Sequence, residues 1–333
     1  MKAVFLCNDK NNPSRVYSDE VRNELKELTG LSDSVFSRDD VLSDTSLFKD
    51  TEFVFSTWGM PVFEDEEIKN IFPSLKCVFY GAGTVQFFAR PFLNNSIKVF
   101  SAWAANAVPV AEYTVAQIIL ANKGFFSTSR YQSDGRLKEA AFLKECYPGS
   151  FGEYVGIIGA GMIGSLVIEM LKAYNIKIKV FDPFLSDERA DALGVTKCSL
   201  SELFSTCFVV SNHLANNSET QGMLKKEHFS LMRKYATFLN TGRGAQVVEK
   251  DLCDVLRERE DLTAILDVTQ PEPPEENHLF YKLPNCILTP HIAGSYGDEV
   301  KRMGEYMLSE YKKYVNDESS PYEVTLKMLE TMA

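Results

Sequence analysis

The chain has 333 residues, 45% of them apolar and 24% charged, an ordinary globular composition at a length that favours two domains over one core. Its 46 acidic against 35 basic side chains leave a net charge of −11, which disfavours nucleic acid or an anionic membrane as a partner. No run of about 18 apolar residues is read, so no membrane span is expected. Seven cysteines scattered without C-x-x-C spacing read as reduced core thiols of a cytoplasmic protein, with neither a disulfide framework nor a metal site.

In chain order, the opening "MKAVFLCNDKNN" is too short in its apolar part for a signal peptide and reads as a first strand. Short apolar runs follow: "EFVFS", "KCVFY" and "IKVFS", the second running into the Gly-x-Gly turn "GAG" at residues 81–83. Next comes "NAVPVAEYTVAQIILANKGFF". It is apolar on most faces from Val110 to Leu120, as expected of a buried helix or one shared between modules. Residues 123–150 are irregular and polar, with no strand pattern and a Pro148-Gly149 break. A connection of that length suits an arm reaching to a second subunit or a wandering surface loop.

A second group of strands then alternates with helical patterns: "YVGIIG", "KIKVFD", "CFVVSN", "ATFLN", "LTAILD" and "CILTP". Strands alternating with helices predict two doubly wound parallel-sheet α/β domains. From Asp298 to Val315 a helix carries Val300, Met303, Met307, Tyr311 and Tyr314 close to one stripe. With the closing "YEVTLKM" it is expected to pack back on the first module.

Two glycine turns compete for a nucleotide. "IIGAGMIG" has the full G-x-G-x-x-G in Gly159, Gly161 and Gly164, follows a strand and opens a helix. Such glycines allow a tight turn, close approach of a pyrophosphate and close helix–strand packing, while the helix N-terminus offers free N–H groups. Asp182 ends the next strand, 18 residues after Gly164, where a carboxylate binds ribose hydroxyls and repels a 2′-phosphate. No arginine follows it at once, so NAD is favoured over NADP. "GAGTVQFF" lacks the third glycine and the acidic partner. The N–H groups of Ala82, Gly83 and Thr84 instead suit a small nest for a substrate carboxylate.

Other strand ends carry Arg243 in "NTGRG", Asp267 and Glu272 in "LDVTQPEPP", and His291 in "LTPHIAG". Hydride transfer to a 2-oxo acid needs a proton donor, a carboxylate that orients it and a guanidinium that clamps the substrate carboxylate. His213, after "CFVVSN", is a rival donor. Trp58, Met60 and Phe63 in "STWGMPVF" read either as an apolar substrate wall or as core.

In that order, "GAGMIG…FDP…NTGRG…LDVTQPEPP…LTPHIAG" resembles the D-isomer-specific 2-hydroxyacid dehydrogenase family over nearly the whole chain. The resemblance implies Arg243, Glu272 and His291 as the catalytic set, with Glu272 paired to His291. It implies cofactor contacts at Gly159, Gly161, Met162, Ile163, Gly164, Asp182, His213, Thr241 and Asp267, the last at the nicotinamide carboxamide. Substrate contacts are expected from Ala82, Gly83, Thr84, Arg243 and Trp58. The implied layout is a flavodoxin-like substrate domain of residues 1–104, completed by 297–333, with an NAD-binding Rossmann domain of 105–296 inserted in it. The arm 123–150 would serve a homodimer.

Two departures stand out: the family's G-x-G-x-D-N is "GAGTVQ" here, and its His-x-Pro-Leu is "NHLANN", with Ala215 in place of proline. The expected function is NAD(H)-linked interconversion of a small 2-hydroxy and 2-oxo acid. The alternatives are an NAD(H)-sensing, corepressor-like binding protein and a phosphoglycerate dehydrogenase lacking a regulatory domain. The latter is weakened by the excess of acidic over basic residues in the first 105 positions, without a basic cluster for a phosphate.

Overall fold

The computed structural model describes residues 2–330 and divides into two compact units. One runs through Asn106 and resumes at Ser295; the other is Ala107–Gly294.

The first unit is built on β1 (Ala3–Leu6), β2 (Leu31–Phe36), β3 (Phe53–Ser56), β4 (Cys77–Tyr80) and β5 (Lys98–Ser101). These strands are parallel and ordered β5-β4-β3-β1-β2. Four of the five read as unbroken apolar runs because both faces are covered. β2 escaped the sequence reading. It is an edge strand whose "LSDSVF" keeps Asp33 and Ser34 exposed, so it lacks the apolar run that marks a central strand.

The second unit carries β6 (Tyr154–Ile158), β7 (Lys177–Phe181), β8 (Thr196–Lys197), β9 (Val209–Asn212), β10 (Thr237–Asn240), β11 (Thr263–Leu266) and β12 (Cys286–Leu288). All are parallel, in the order β12-β11-β10-β9-β6-β7-β8. The order reverses between β6 and β9, and a doubly wound sheet opens its ligand crevice at the carboxyl ends of the strands at such a switch. Back in the first unit, β13 (Glu323–Val324) pairs antiparallel with β5.

The helix Lys301–Val315 packs as its stripe predicts. Val300, Met303, Met307 and Tyr311 are buried in one cluster with Phe5, Phe55, Phe79 and Phe100. Phe79 stacks on Phe55 and Phe100 at 5.2 and 5.1 Å. Fully burying an apolar side chain of this size contributes about 1.5–3 kcal/mol, so the stripe contributes substantially to docking the segment on the sheet.

Two expectations need correction. Residues 123–150 are not irregular: they contain the helices Phe125–Ser133 and Leu137–Lys144. Neither shows a clear apolar stripe, because the first buries no residue fully and the second buries only Ala140. The expectation of no segment apolar and long enough for a membrane span is the second, because of the 20-residue helix Trp103–Asn122. By length and composition it could cross a membrane. Its apolar side chains have another explanation, since Ala111, Val115, Ile118 and Ala121 pack with Val155, Ile157, Val167 and Val209 of the second unit.

Candidate active site

At the end of β6 the chain turns through Gly159 with φ 88°, in the left-handed region that favours glycine. A Cβ on Gly159 would lie 2.9 Å from the carbonyl oxygen of His213, and one on Gly164 would lie 2.0 Å from that of Gly159. These two glycines let β6, the loop after β9 and the following helix pack together. Gly161 differs: a Cβ there meets nothing within 4 Å. Its site is open and stands at the N-cap of the helix Met162–Leu171, whose first turn carries the exposed Met162 and half-buried Ile163. An opening over free helix N–H groups suits a diphosphate, so these residues fit a dinucleotide.

Asp182 follows β7. Its Oδ2 accepts the Ala160 N–H at 2.7 Å and its Oδ1 the Phe184 N–H at 2.8 Å, which fixes the carboxylate beside the loop. Arg189, in the helix Asp187–Leu193, donates to the Ala160 carbonyl at 3.1 Å and to Ser165 Oγ at 3.0 Å. No arginine directly follows Asp182 in the sequence. The fold brings one to the loop from seven residues downstream.

His213, just past β9, is buried. Its Nε2 lies 2.8 Å from Ser211 Oγ and its Nδ1 3.4 Å from Thr241 Oγ1, which is itself 3.2 Å from Thr114 Oγ1. Burial pulls the His213 pKa down to about 3. An imidazole so hard to charge is no proton donor at neutral pH, which removes the rival named above. Arg243 stands between Gly242 and Gly244 after β10, with Nη1 donating to the Gly242 carbonyl at 2.8 Å. Burial lowers its pKa and the negative charge of Glu272 acts in the opposite direction.

Asp267, buried at the end of β11, accepts Thr289 Oγ1–H at 2.6 Å, Ile292 N–H at 2.8 Å and Ala293 N–H at 2.9 Å. Three of about four acceptor positions on this carboxylate are therefore spent on the segment around His291. The sequence reading missed this role, which depends on contacts 22 to 26 residues away. Thr289 Oγ1 is also 3.1 Å from Tyr113 OH.

His291 itself has φ 54°, an uncommon conformation for a residue with a Cβ. Its Nδ1 lies 2.5 Å from Oε1 of Glu272, and both side chains are partly open to solvent. The loop carrying Glu272 is anchored by Glu249, whose Oε1 accepts the Gln270 N–H at 2.7 Å and whose Oε2 is 3.4 Å from His278 Nε2. Burial raises the Glu249 pKa.

The remaining predicted residues belong to the first unit. Trp58 follows β3, is 38% exposed, and its carbonyl accepts from Cys7 Sγ at 3.1 Å and Asn12 Nδ2 at 2.9 Å. Met60 and Phe63, grouped with it in the sequence, are 2% and 1% exposed in the core and form no substrate wall. In the turn after β4, the Ala82 N–H is spent on the Tyr80 carbonyl at 2.8 Å and is unavailable to an anion. Gly83 is half-buried and Thr84 exposed. Ser101 Oγ holds the carbonyls of Ala82 and Gly83 at 2.9 and 2.7 Å.

The family profile described as D-isomer specific 2-hydroxyacid dehydrogenase, NAD binding domain, matches residues 115–293. YoaD of Bacillus subtilis, a 2-hydroxyacid dehydrogenase by its name, is 36% identical over 205 residues, 60% of this chain and 59% of its own. The Bacillus subtilis D-3-phosphoglycerate dehydrogenase is 31% identical over 235 residues, 69% of this chain and 43% of its own. The chain thus spans about half the length of these relatives. Among solved structures, Rhodotorula graminis D-mandelate dehydrogenase superposes with a TM-score of 0.81 at 16% identity, covering 97% of each chain, which establishes likeness of fold. With the profile matching more than half of its length, the chain belongs to the D-isomer-specific 2-hydroxyacid dehydrogenase family and carries that family's NAD-binding domain.

Proposed function

We propose that the protein is an NAD-dependent oxidoreductase interconverting a small 2-oxo acid and its D-2-hydroxy acid. The observation that carries this reading is the 2.5 Å contact between His291 Nδ1 and Glu272 Oε1, in the same unit as the dinucleotide loop and Arg243. In the direction of reduction, the chemistry that NADH would supply when bound is a hydride for the carbonyl carbon. Arg243 clamps the substrate carboxylate and polarises the carbonyl, a task suited to a planar guanidinium. His291 delivers the proton to the carbonyl oxygen from Nε2, the ring nitrogen turned away from Glu272, so the oxo acid gains one hydride and one proton. Glu272 holds the ring through Nδ1 and so fixes which nitrogen faces the substrate.

Asp267 positions the His291 segment. Exposed apolar side chains at Phe125, Leu137 and Phe142 support a homodimer built through residues 123–150. The seven free cysteines fit a reducing, cytoplasmic setting.

The test is loss of nicotinamide absorbance when NADH meets a panel of alkyl, aryl and phosphorylated 2-oxo acids. Turnover of at least one unphosphorylated acid is expected. NADH binding without turnover of any member would favour a sensing protein on the same fold, and a clear preference for the phosphorylated member would favour a phosphoglycerate dehydrogenase.

A further inference from the structure

Beneath Arg243 lies a closed set of three side-chain amides. Gln246 and Asn212 are fully buried, and Asn240 is 1% exposed. Gln246 Oε1 accepts Asn212 Nδ2–H at 2.6 Å and the Arg243 backbone N–H at 3.1 Å, while its Nε2 donates to the carbonyls of Leu214 at 2.7 Å and Ala215 at 3.0 Å. All four hydrogen-bonding positions of this amide are used, and only one orientation of it satisfies them. Asn212 also donates to Asn240 Oδ1 at 2.9 Å and accepts the Leu214 N–H at 3.3 Å. Asn240 Nδ2 in turn donates to the Arg243 carbonyl at 3.2 Å. Arg243 is therefore gripped at both its N–H and its C=O.

The glycines on either side close the grip. A Cβ on Gly242 would come 2.7 Å from Gln246 Oε1, and one on Gly244 would come 2.0 Å from the carbonyl carbon of Thr269. The turn cannot drift without breaking these contacts. A single glutamine side chain thus ties the loop after β9 to the loop after β10.

We propose that Gln246 is the positioning residue for Arg243: it fixes the peptide from which the guanidinium reaches the substrate carboxylate, through Asn212 and Asn240 and against the carbonyls of Leu214 and Ala215. The inference rests on Arg243 being the carboxylate clamp. Misplacing such a group by about 1 Å can cost on the order of a hundredfold in rate. The effect of losing Gln246 falls on substrate binding more than on the nucleotide, because the glycine loop after β6 is held by Asp182, Ser165 and Arg189.

The experiment compares Gln246→Leu, Gln246→Glu and Arg243→Ala, using NADH and the 2-oxo acid that wild type turns over best. Gln246→Leu should raise the KM of the oxo acid about thirtyfold, with kcat falling less and the NADH dissociation constant staying within about threefold. Gln246→Glu keeps the shape and the acceptor but can donate only when protonated. Its KM, taken as a ratio to wild type at each pH, should therefore recover as pH falls from 8 to 5.

The ratio across pH carries the test if the leucine variant does not fold, and a flat ratio overturns the inference. So does an NADH affinity that weakens in step with KM, since that marks a general structural role. If Arg243→Ala raises KM while both Gln246 variants leave it unchanged, the inference alone fails. If Arg243→Ala changes neither KM nor kcat, the reading of the site fails and takes the inference with it.

Discussion

His291 Nδ1 and Glu272 Oε1 stand 2.5 Å apart although 19 residues separate them in the chain, and His291 has a left-handed backbone conformation. A strained residue persists where the surroundings over-determine it, and Asp267 does so by binding N–H groups of Ile292 and Ala293, directly after His291. If His291 is the proton donor, His291→Ala lowers kcat for reduction by about 10²–10⁴-fold, the usual contribution of a general acid. Glu272→Gln keeps the shape and gives a smaller loss, and NADH affinity is unchanged in both. Stopped-flow reduction with parallel NADH titration checks this; a normal kcat in His291→Ala assigns the proton to another group.

If Asp182 binds the ribose hydroxyls, it sets the choice of nucleotide. Asp182→Asn removes the negative charge but keeps an acceptor for the loop, so it should narrow the preference for NADH over NADPH by about tenfold, equivalent to about 1.4 kcal/mol. Arg189, already at the Ala160 carbonyl, provides a nearby positive charge for a 2′-phosphate once the carboxylate is neutralised. Steady-state kcat/KM for both cofactors measures the shift. Equal use of the two cofactors by wild type would show that Asp182 does not discriminate.

The glycine loop separates binding from folding. Gly164→Ala places a methyl group 2.0 Å from the Gly159 carbonyl, and the forced shift should lower unfolding stability by about 1–3 kcal/mol or more. Gly161→Ala meets open space, so stability should hold within about 0.5 kcal/mol while NADH binding weakens. Thermal denaturation and NADH titration of both variants decide. Unchanged NADH affinity in Gly161→Ala would place the diphosphate elsewhere.

His213 makes stability depend on acid. Its folded pKa of about 3 lies below the unfolded value of 6.5, so the unfolded chain takes up the proton first. The stability conferred by the neutral ring is present above pH 6.5 and is lost progressively as pH falls toward 3. Between pH 7 and pH 5 the loss is about 2 kcal/mol, and it should be absent in His213→Gln. Urea denaturation of both proteins at the two pH values tests this. Parallel behaviour of the two would mean that the ring is solvated, or already charged, in the folded state.

The sequence by itself determined the parts that obey local rules. Ten strands were legible because strands covered on both faces need unbroken apolar runs. The glycine loop was legible because Gly159 and Gly164 stand where a Cβ would clash, and the stripe of the helix Lys301–Val315 because its period matches one buried face. Arg243, Glu272 and His291 could be nominated because each follows a strand, where a doubly wound sheet presents side chains to a ligand.

Tertiary structure alone decided what each polar residue meets. It buried His213 to the point of neutrality, settled Met60 and Phe63 as core where the sequence allowed either core or substrate wall, and spent the Ala82 N–H on Tyr80. It brought Arg189 to the glycine loop, Asp267 to the segment after β12 and Gln246 to Asn212 across 34 residues of chain. The helices Phe125–Ser133 and Leu137–Lys144 and the edge strand β2 also waited for it, since exposed elements leave little apolar pattern to read. The physical reason is range: apolar period and glycine geometry are set within a few neighbouring residues, whereas burial and hydrogen-bond partners depend on residues that only folding brings together.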